Sequence, residues 1–455
     1  MTENRACEII ELLHKEVKPA LGCTEPVAVA LAVAKACETL IVVGESVDTL
    51  DVEVSANILK NGMGVGIPGT GMVGLHIASA LAVTCGKSEY KLEVLKDLTP
   101  ESVALAKEMV DAKRVNILLA DTPIKLYIFA KAYNANKSVV ASAVVQDNHD
   151  SIVSVKLNDR ELLVNETADF VDSYSEVDGS NISGADHTSV DHTSVDHKTT
   201  RDYNLTVKEI VEFAQEVELS KIEFILDSVK LNEALANEGL KRDYGLKVGK
   251  TILSKDHKEL FGNSFLTYAM AVTAAASDAR MAGSTLPAMS NSGSGNQGIT
   301  VTMPVIAYAN KMKVSREELS RALIISHLVA IHIKGYLGKL SALCGCVIAS
   351  TGSSCGIVFL QGGGYNQVCY AIKNMVGNIT GMVCDGAKVG CALKVASGVS
   401  SSVQSAILAL DNICISSNDG IIDDDIEKTI SNLGIIGSKG MQSTDSMILD
   451  IMVCK

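Results

Sequence analysis

The stretch LDVEVSA, residues 50–56, sets Leu50, Val52, Val54 and Ala56 in alternation with Asp51, Glu53 and Ser55. Successive side chains of a strand point to opposite faces, so this period of two predicts a strand with one face buried and the other in water. Outward from it the chain mixes element types. Residues 4–17 carry Ile9, Ile10, Leu12, Leu13 and Val17 at helical spacing, and Pro26 opens a second helix that runs to about Leu40. After the strand come a glycine-rich loop, a helix over 72–84, strands over 90–95, 114–120, 124–133 and 137–145, and a helix near 101–111. From Thr206 to the end the pattern is almost wholly helical, rich in Ala and Gly. The expected fold class is α+β, with an N-terminal mixed α/β domain over residues 1–171 and a mostly α-helical domain over 204–455. Between them, residues 172–203 are polar and repeat DHTSV at 186–190 and 191–195. Such a segment buries too little apolar surface to offset its ordering entropy, so it reads as a linker or surface insertion. His187, His192 and His197 recur every five residues, share no helix face, and read as loop residues.

Composition narrows the function classes. With 47% hydrophobic residues, 4% aromatic and no Trp, the interior has to be built from Ala, Val, Ile, Leu and Met, which favours packed helices. A net charge of −13 works against extended contact with nucleic acid or anionic lipid and leaves small molecules as the expected partners. The start, MTENRACEIIELLHKEV, lacks the layout of a secretory signal, and the apolar stretches at 344–360 and 392–410 are interrupted by Gly, Ser, Gln and Lys. They read as core helices, and the expected location is cytoplasmic, with no membrane partner. Twelve cysteines in a reducing compartment serve as metal ligands, nucleophiles or small core residues.

Three of these cysteines stand out. Cys344, Cys384 and Cys391 lie in ALCGCV, MVCDGAK and GCALK, 40 and then 7 residues apart, with no Cys-x-x-Cys among them. A continuous helix would hold Cys384 and Cys391 about 10.5 Å apart along its axis, too far for one compact metal group. Asp385-Gly386 and Gly390 are where such a helix could break. Spacing alone leaves open both a metal set and three buried core thiols. Cys23 stands two residues before Glu25-Pro26. A thiol at a helix N-terminus is expected to have a lowered pKa and to be a candidate base, while the plainer reading is a small residue in a tight Leu-Gly-Cys turn. Glu25 could tune it or cap the helix. Within Asn61–Gly74, GTGMVG formally matches a dinucleotide-binding pattern, but Gly69 stands eleven positions after the strand end near Ile58, with Pro68 between. What survives is backbone N–H groups at a helix start, which favour an anion. SGSGNQG at 292–298 forms a second such loop, or simply an interhelical turn. His76, His327 and His332 sit in apolar helical contexts and read as core or boundary histidines.

The strings LGCTEPVAVALA (21–32), NGMGVGIPGTGMVG (61–74), SGSGNQGIT (292–300) and CDGAKVGCALK (384–394) together resemble the L-cysteine desulfidases, relatives of the iron-sulfur L-serine dehydratase alpha chain. The resemblance implies a 4Fe-4S cluster on Cys344, Cys384 and Cys391 with one iron free of protein ligands. Cys346 is the alternative to Cys344, Cys355 and Cys369 are core residues, and Cys454 is a tail thiol. It further implies Cys23 as the catalytic residue taking the α-proton, and L-cysteine as substrate. The carboxylate would sit at the first glycine loop, with Asn61, Thr70, Ser292, Asn296 and Gln297 as substrate-binding residues in a site between the domains. Products would be sulfide, ammonia and pyruvate. L-serine dehydratase is the nearest rival; a non-enzymatic iron-sulfur or zinc redox sensor is the rival of another class. Self-association into a homo-oligomer is left open.

Overall fold

The computed structural model describes residues 1–164, 203–338 and 341–454. The expected linker, with His187, His192 and His197, lies outside the described residues apart from Tyr203. The first helix, α1 (Glu3–Glu16), starts where the Thr2 hydroxyl accepts a hydrogen bond from the Arg5 amide. A two-residue strand, β1 (Pro19–Ala20), leads into α2 (Thr24–Val42), whose Ala and Val residues are buried on nearly every side. A helix apolar all round has to be covered all round. One cover is a six-stranded sheet of order β3-β2-β4-β5-β6-β7, made of β2 (Thr49–Val54), β3 (Val115–Leu119), β4 (Tyr127–Tyr133), β5 (Val140–Gln146), β6 (Ile152–Leu157) and β7 (Arg160–Val164). Leu50, Val52 and Val54 are fully buried, while Glu53 on the opposite face pairs with Lys131 at 2.9 Å. Among the described strands of this sheet β2 and β3 run parallel and the other neighbours antiparallel, and the β2–β3 crossover carries α3 (Ala56–Gly62), α4 (Leu75–Cys85) and α5 (Pro100–Asp111).

Several expected boundaries move. The strand at 50–56 ends at Val54, because Ser55 opens the unexpected α3. The helix expected from 72 begins at Leu75, since Gly74 has a φ of +95°. The strand expected at 90–95 is a 3₁₀ turn over Ser88–Glu93, broken at Lys91 with φ +49°, which no strand accommodates. Strands β6 and β7, a hairpin through Asn158 at φ +51°, were not anticipated.

The helical part contains α6 (Val207–Glu216), α7 (Asp227–Lys241), α8 (Val248–Leu253), α9 (Lys258–Phe261) and α10 (Phe265–Met281), then β8 (Ala288–Met289). It continues through α11 (Gly295–Met312), α12 (Arg316–Leu337), α13 (Gly345–Leu360), α14 (Tyr365–Ile379), α15 (Cys391–Leu410), α16 (Ile426–Ile435) and α17 (Gln442–Val453). The fold is α+β, as the sequence patterns predict. Among the described residues, α15 is the helix long and apolar enough to cross a membrane. Half of its apolar window is buried in the protein, where it packs on α10, α13 and α14.

Two large cores result. One joins α2 to α5 with the sheet; the other is helical and takes in Ile9, Leu12, Leu13 and Val17, so α1 is buried in the helical part. In the reverse direction Met281, Ala387, Val389 and Cys391 of the helical part pack into the N-terminal core. The seam between the cores is where the sequence motifs meet.

Candidate active site

Strands β1 and β8 pair antiparallel, Pro19 opposite Met289 and Ala20 opposite Ala288. The stitching continues past them on both sides. The Ser290 amide and hydroxyl both donate to the Lys18 carbonyl (2.8 and 2.6 Å), the Ser292 amide to that of Glu16 (2.9 Å), and the Thr24 hydroxyl to that of Gly293 (3.1 Å). The Cys23 turn is thereby laid along the second glycine loop. Cys23 is the N-cap of α2, 6% exposed. Burial pushes its thiol up to about 11, with the Arg280 cation pulling the other way. The expected lowering at a helix N-terminus is thus reversed, because loss of water costs the thiolate more than its neighbours return.

Arg280, in the last turn of α10, is 5% exposed. Its Nη2 donates to the Gly22 carbonyl at 2.8 Å and its Nη1 to Asn296 Oδ1 at 3.3 Å, tying the Cys23 turn to the first turn of α11. Its buried Nε has no partner among the described residues, and a methyl group on Gly295 would overlap that nitrogen. Patterns alone did not single Arg280 out. The available signal was a charged pair, Asp278 and Arg280, within an Ala-rich helix otherwise fit for full burial.

The second glycine loop forms the start of α11. Ser292 takes φ +49° and donates its hydroxyl to Asn291 Oδ1 (3.0 Å), which also accepts from Gln297 Nε2 (2.9 Å). The Asn291 amide faces His327 Nδ1 at 3.0 Å. Burial drives His327 down to about 3, so the ring is neutral, and its Nε2 has no partner among the described residues. Gln297 packs beside Gly345, the residue after Cys344. The first glycine loop is more self-contained. The amides of Gly66, Ile67, Thr70 and Gly74 donate to Met281, Met72, Ile67 and Val65 carbonyls, and the Met72 amide to the Thr70 hydroxyl. Thr70 in turn donates to Ile67 O at 2.8 Å, so its hydroxyl is spent inside the loop. Asn61 is half-buried in the last turn of α3.

The cysteine segments close on each other by backbone pairing. The Cys344 amide donates to Met382 O (3.0 Å) and the Cys384 amide to Ala342 O (2.7 Å), which cancels the 40-residue separation. Between Cys384 and Cys391 no helix runs: Gly386 turns at φ +90° and Cys391 begins α15, its thiol 3.8 Å from Gly386 O. Burial pushes Cys344 up to about 12, and the Cys384 and Cys391 charges add to the shift. Burial likewise raises Cys391, with Cys384 adding, and Cys391 in turn raises Cys23. Cys344 and Cys384 thus stand on paired backbone, Cys391 follows the Gly386 turn, and Cys391 packs against the core that holds Cys23. Lys394 supplies the nearby cation, donating to Val383 O (2.7 Å) and Asp385 Oδ1 (2.5 Å). Cys346 lies close enough to feel the Cys344 and Cys391 charges, which add to the rise that burial gives it. Its thiol bonds Lys394 O at 3.1 Å and fills the space over Gly398, where a methyl group would overlap it.

A soft metal group suits this donor set in kind: thiolate sulfur is a soft ligand, and Cys344 and Cys391 are raised thiols whose ionisation a bound cation would favour. Among the described residues, no three His, Cys, Asp or Glu side chains are placed as a group that could hold a metal ion. Elsewhere, His332 is bonded to Glu427 at 2.6 Å, Cys355 and Cys369 are buried in the helical core, and Cys454 is exposed after α17.

Fold and site define an α+β protein whose helical part carries free thiols and one glycine loop and is stitched to the Cys23 turn of the α/β part, which carries the other. Residues 89–450 match the family described as serine dehydratase alpha chain. Over 456 residues the chain is 47% identical to a UPF0597 protein of Bacteroides fragilis, covering 100% of both. It is 50% identical over 446 residues to one of Oleidesulfovibrio alaskensis (98% of this chain, 97% of the relative) and 44% identical over 447 residues to one of Shewanella pealeana (98% of each). The chain belongs to the serine dehydratase alpha chain family, which agrees with the resemblance carried by its four motifs and points to an enzyme of lyase type.

Proposed function

We propose that the protein is a cytoplasmic, iron-sulfur-dependent L-cysteine desulfidase, converting L-cysteine and water to hydrogen sulfide, ammonia and pyruvate. The observation that carries this reading is the backbone pairing of the Cys344 and Cys384 segments, with the Gly386 turn leading to Cys391, which packs against the core that holds Cys23. Those three thiols would hold a 4Fe-4S cluster. When bound, it supplies a Lewis acid for the leaving sulfur. Cys23 Sγ, in its thiolate form, takes the α-proton. The C–H electron pair then forms the Cα–Cβ double bond as the C–S pair leaves with sulfur. A base buried this deeply is scarce as thiolate at neutral pH but strong once formed. Ser292 donates its hydroxyl proton to Asn291, which leaves its oxygen free to accept from the substrate ammonium. The product, 2-aminoacrylate, becomes pyruvate and ammonia by hydrolysis after release.

The family description favours a second reading, L-serine dehydratase, with hydroxide leaving in place of sulfide. Parallel kinetics on both amino acids, with protein reconstituted without oxygen, separate the two. A higher kcat/KM for L-cysteine, with sulfide and pyruvate in equal yield, is the expected result. Pyruvate from L-serine alone would replace the desulfidase by the dehydratase, and bound metal without turnover of either would favour the redox sensor.

A further inference from the structure

We propose that Arg280 is the receptor for the α-carboxylate of the substrate, a role that rests on the reading of this site as one for an amino acid. A guanidinium taken out of water is costly unless an anion accompanies it. Arg280 is 5% exposed, and among the described residues no Asp or Glu pairs with it. Its hydrogen-bond partners are the Gly22 carbonyl, the Asn296 amide oxygen, the Met281 sulfur and the Cys23 thiol, which burial keeps largely protonated. The nearest carboxylate in sequence, Asp278, is turned away to the Gly249 amide of α8 at 3.1 Å. The buried Nε–H has no acceptor among the described residues, and the guanidinium packs so closely on Gly295 that a methyl group there would overlap it.

These features fit a charge awaiting an anion from outside the chain. A planar fork with an open N–H accepts a carboxylate in a bidentate manner. The location fits as well, since Arg280 bridges the turn carrying Cys23 and the α11 turn carrying Asn296. A carboxylate held there brings the α-carbon to the thiol that is to deprotonate it. The first glycine loop, the place expected from sequence for the carboxylate, uses the amides of Gly66, Ile67, Thr70, Met72 and Gly74 within the protein.

The test compares two truncated substrates on the full chain by calorimetry: 3-mercaptopropionate, which keeps thiol and carboxylate, and cysteamine, which keeps thiol and amine. Wild-type protein is expected to bind 3-mercaptopropionate at least tenfold tighter. Arg280→Met should abolish that preference and raise KM for L-cysteine about a hundredfold, and Arg280→Lys should restore part of both. If Arg280→Met does not fold, the wild-type preference still decides: equal binding of the two probes overturns the proposal. So does an Arg280→Met protein that keeps the preference while the pH dependence of Cys23 alkylation shifts, because Arg280 would then serve the thiolate. Loss of the preference in Arg280→Met, with no turnover of L-cysteine or L-serine by wild type, would sink the lyase reading and leave the carboxylate receptor standing. Turnover with the preference intact in the variant would do the reverse.

Discussion

Asp278 and Arg280 sit two residues apart in one buried helix and resolve their burial differently. Asp278 is 1% exposed; one carboxylate oxygen accepts from the Gly249 amide and the other has no partner among the described residues. Burial pushes it up to about 6, with the backbone amides of Gly249, Val248 and Leu246 opposing. A carboxyl raised above its unfolded value of about 3.9 stabilises the fold below that value, and its contribution is lost as pH rises through about 6. Asp278→Asn should therefore become progressively more stable relative to wild type between about pH 4 and pH 6.5, as read by urea unfolding across that range. A pH-independent difference would show that Asp278 does not titrate there. At this scale the cysteine motifs were legible because they are contiguous strings with uncommon residues. Arg280 was not, because a single charge in an Ala-rich helix does not reveal what it will face. Thr70 could be picked as a polar residue in a glycine loop, but only the loop's own hydrogen bonds show that its hydroxyl is already engaged.

The strands that position Cys23 are two residues each, too short to carry a periodic signal, so β1 and β8 could not be read ahead of the fold. Length works the other way for α2, α13 and α15, whose long apolar runs were legible as helices. The hairpin of β6 and β7 was hidden by its turn at Asn158, and the stretch at 90–95 alternates well enough to look like a strand while Lys91 breaks it. What holds β8 to α11 is close backbone approach: a methyl group on Gly298 would overlap the Met289 carbonyl. Gly298→Ala should cost roughly 1–3 kcal/mol in urea unfolding by overpacking that contact. It should also lower activity, because β8 carries the stitching to the Cys23 turn. An unchanged unfolding midpoint would mean the β8–α11 contact is soft and does not fix the site.

At the scale of the molecule, the sequence patterns anticipated the two classes of layer but not how the cores trade residues across the seam. Those contacts join parts hundreds of residues apart. Lys60 of α3 illustrates this: its side chain is 4% exposed and paired with Asp445 of α17, while its carbonyl leans on Gly386 in the cysteine turn. Removing one partner of such a pair strands a buried charge. Asp445→Ala should destabilise the protein by up to about 3 kcal/mol, and Lys60→Met combined with Asp445→Leu should recover part of the loss. A silent Asp445→Ala would show that α17 is not anchored through Lys60.

The most direct test of the central claim is iron content measured together with sulfide and pyruvate release from L-cysteine, on protein purified and reconstituted without oxygen. Wild type is compared with Cys344→Ala, Cys384→Ala, Cys391→Ala and Cys346→Ala. Iron and both products should be lost together in the first three variants, while Cys346→Ala, whose thiol packs over Gly398, keeps them. Full product release from any of the first three, or its loss only in Cys346→Ala, would contradict a site built on Cys344, Cys384 and Cys391.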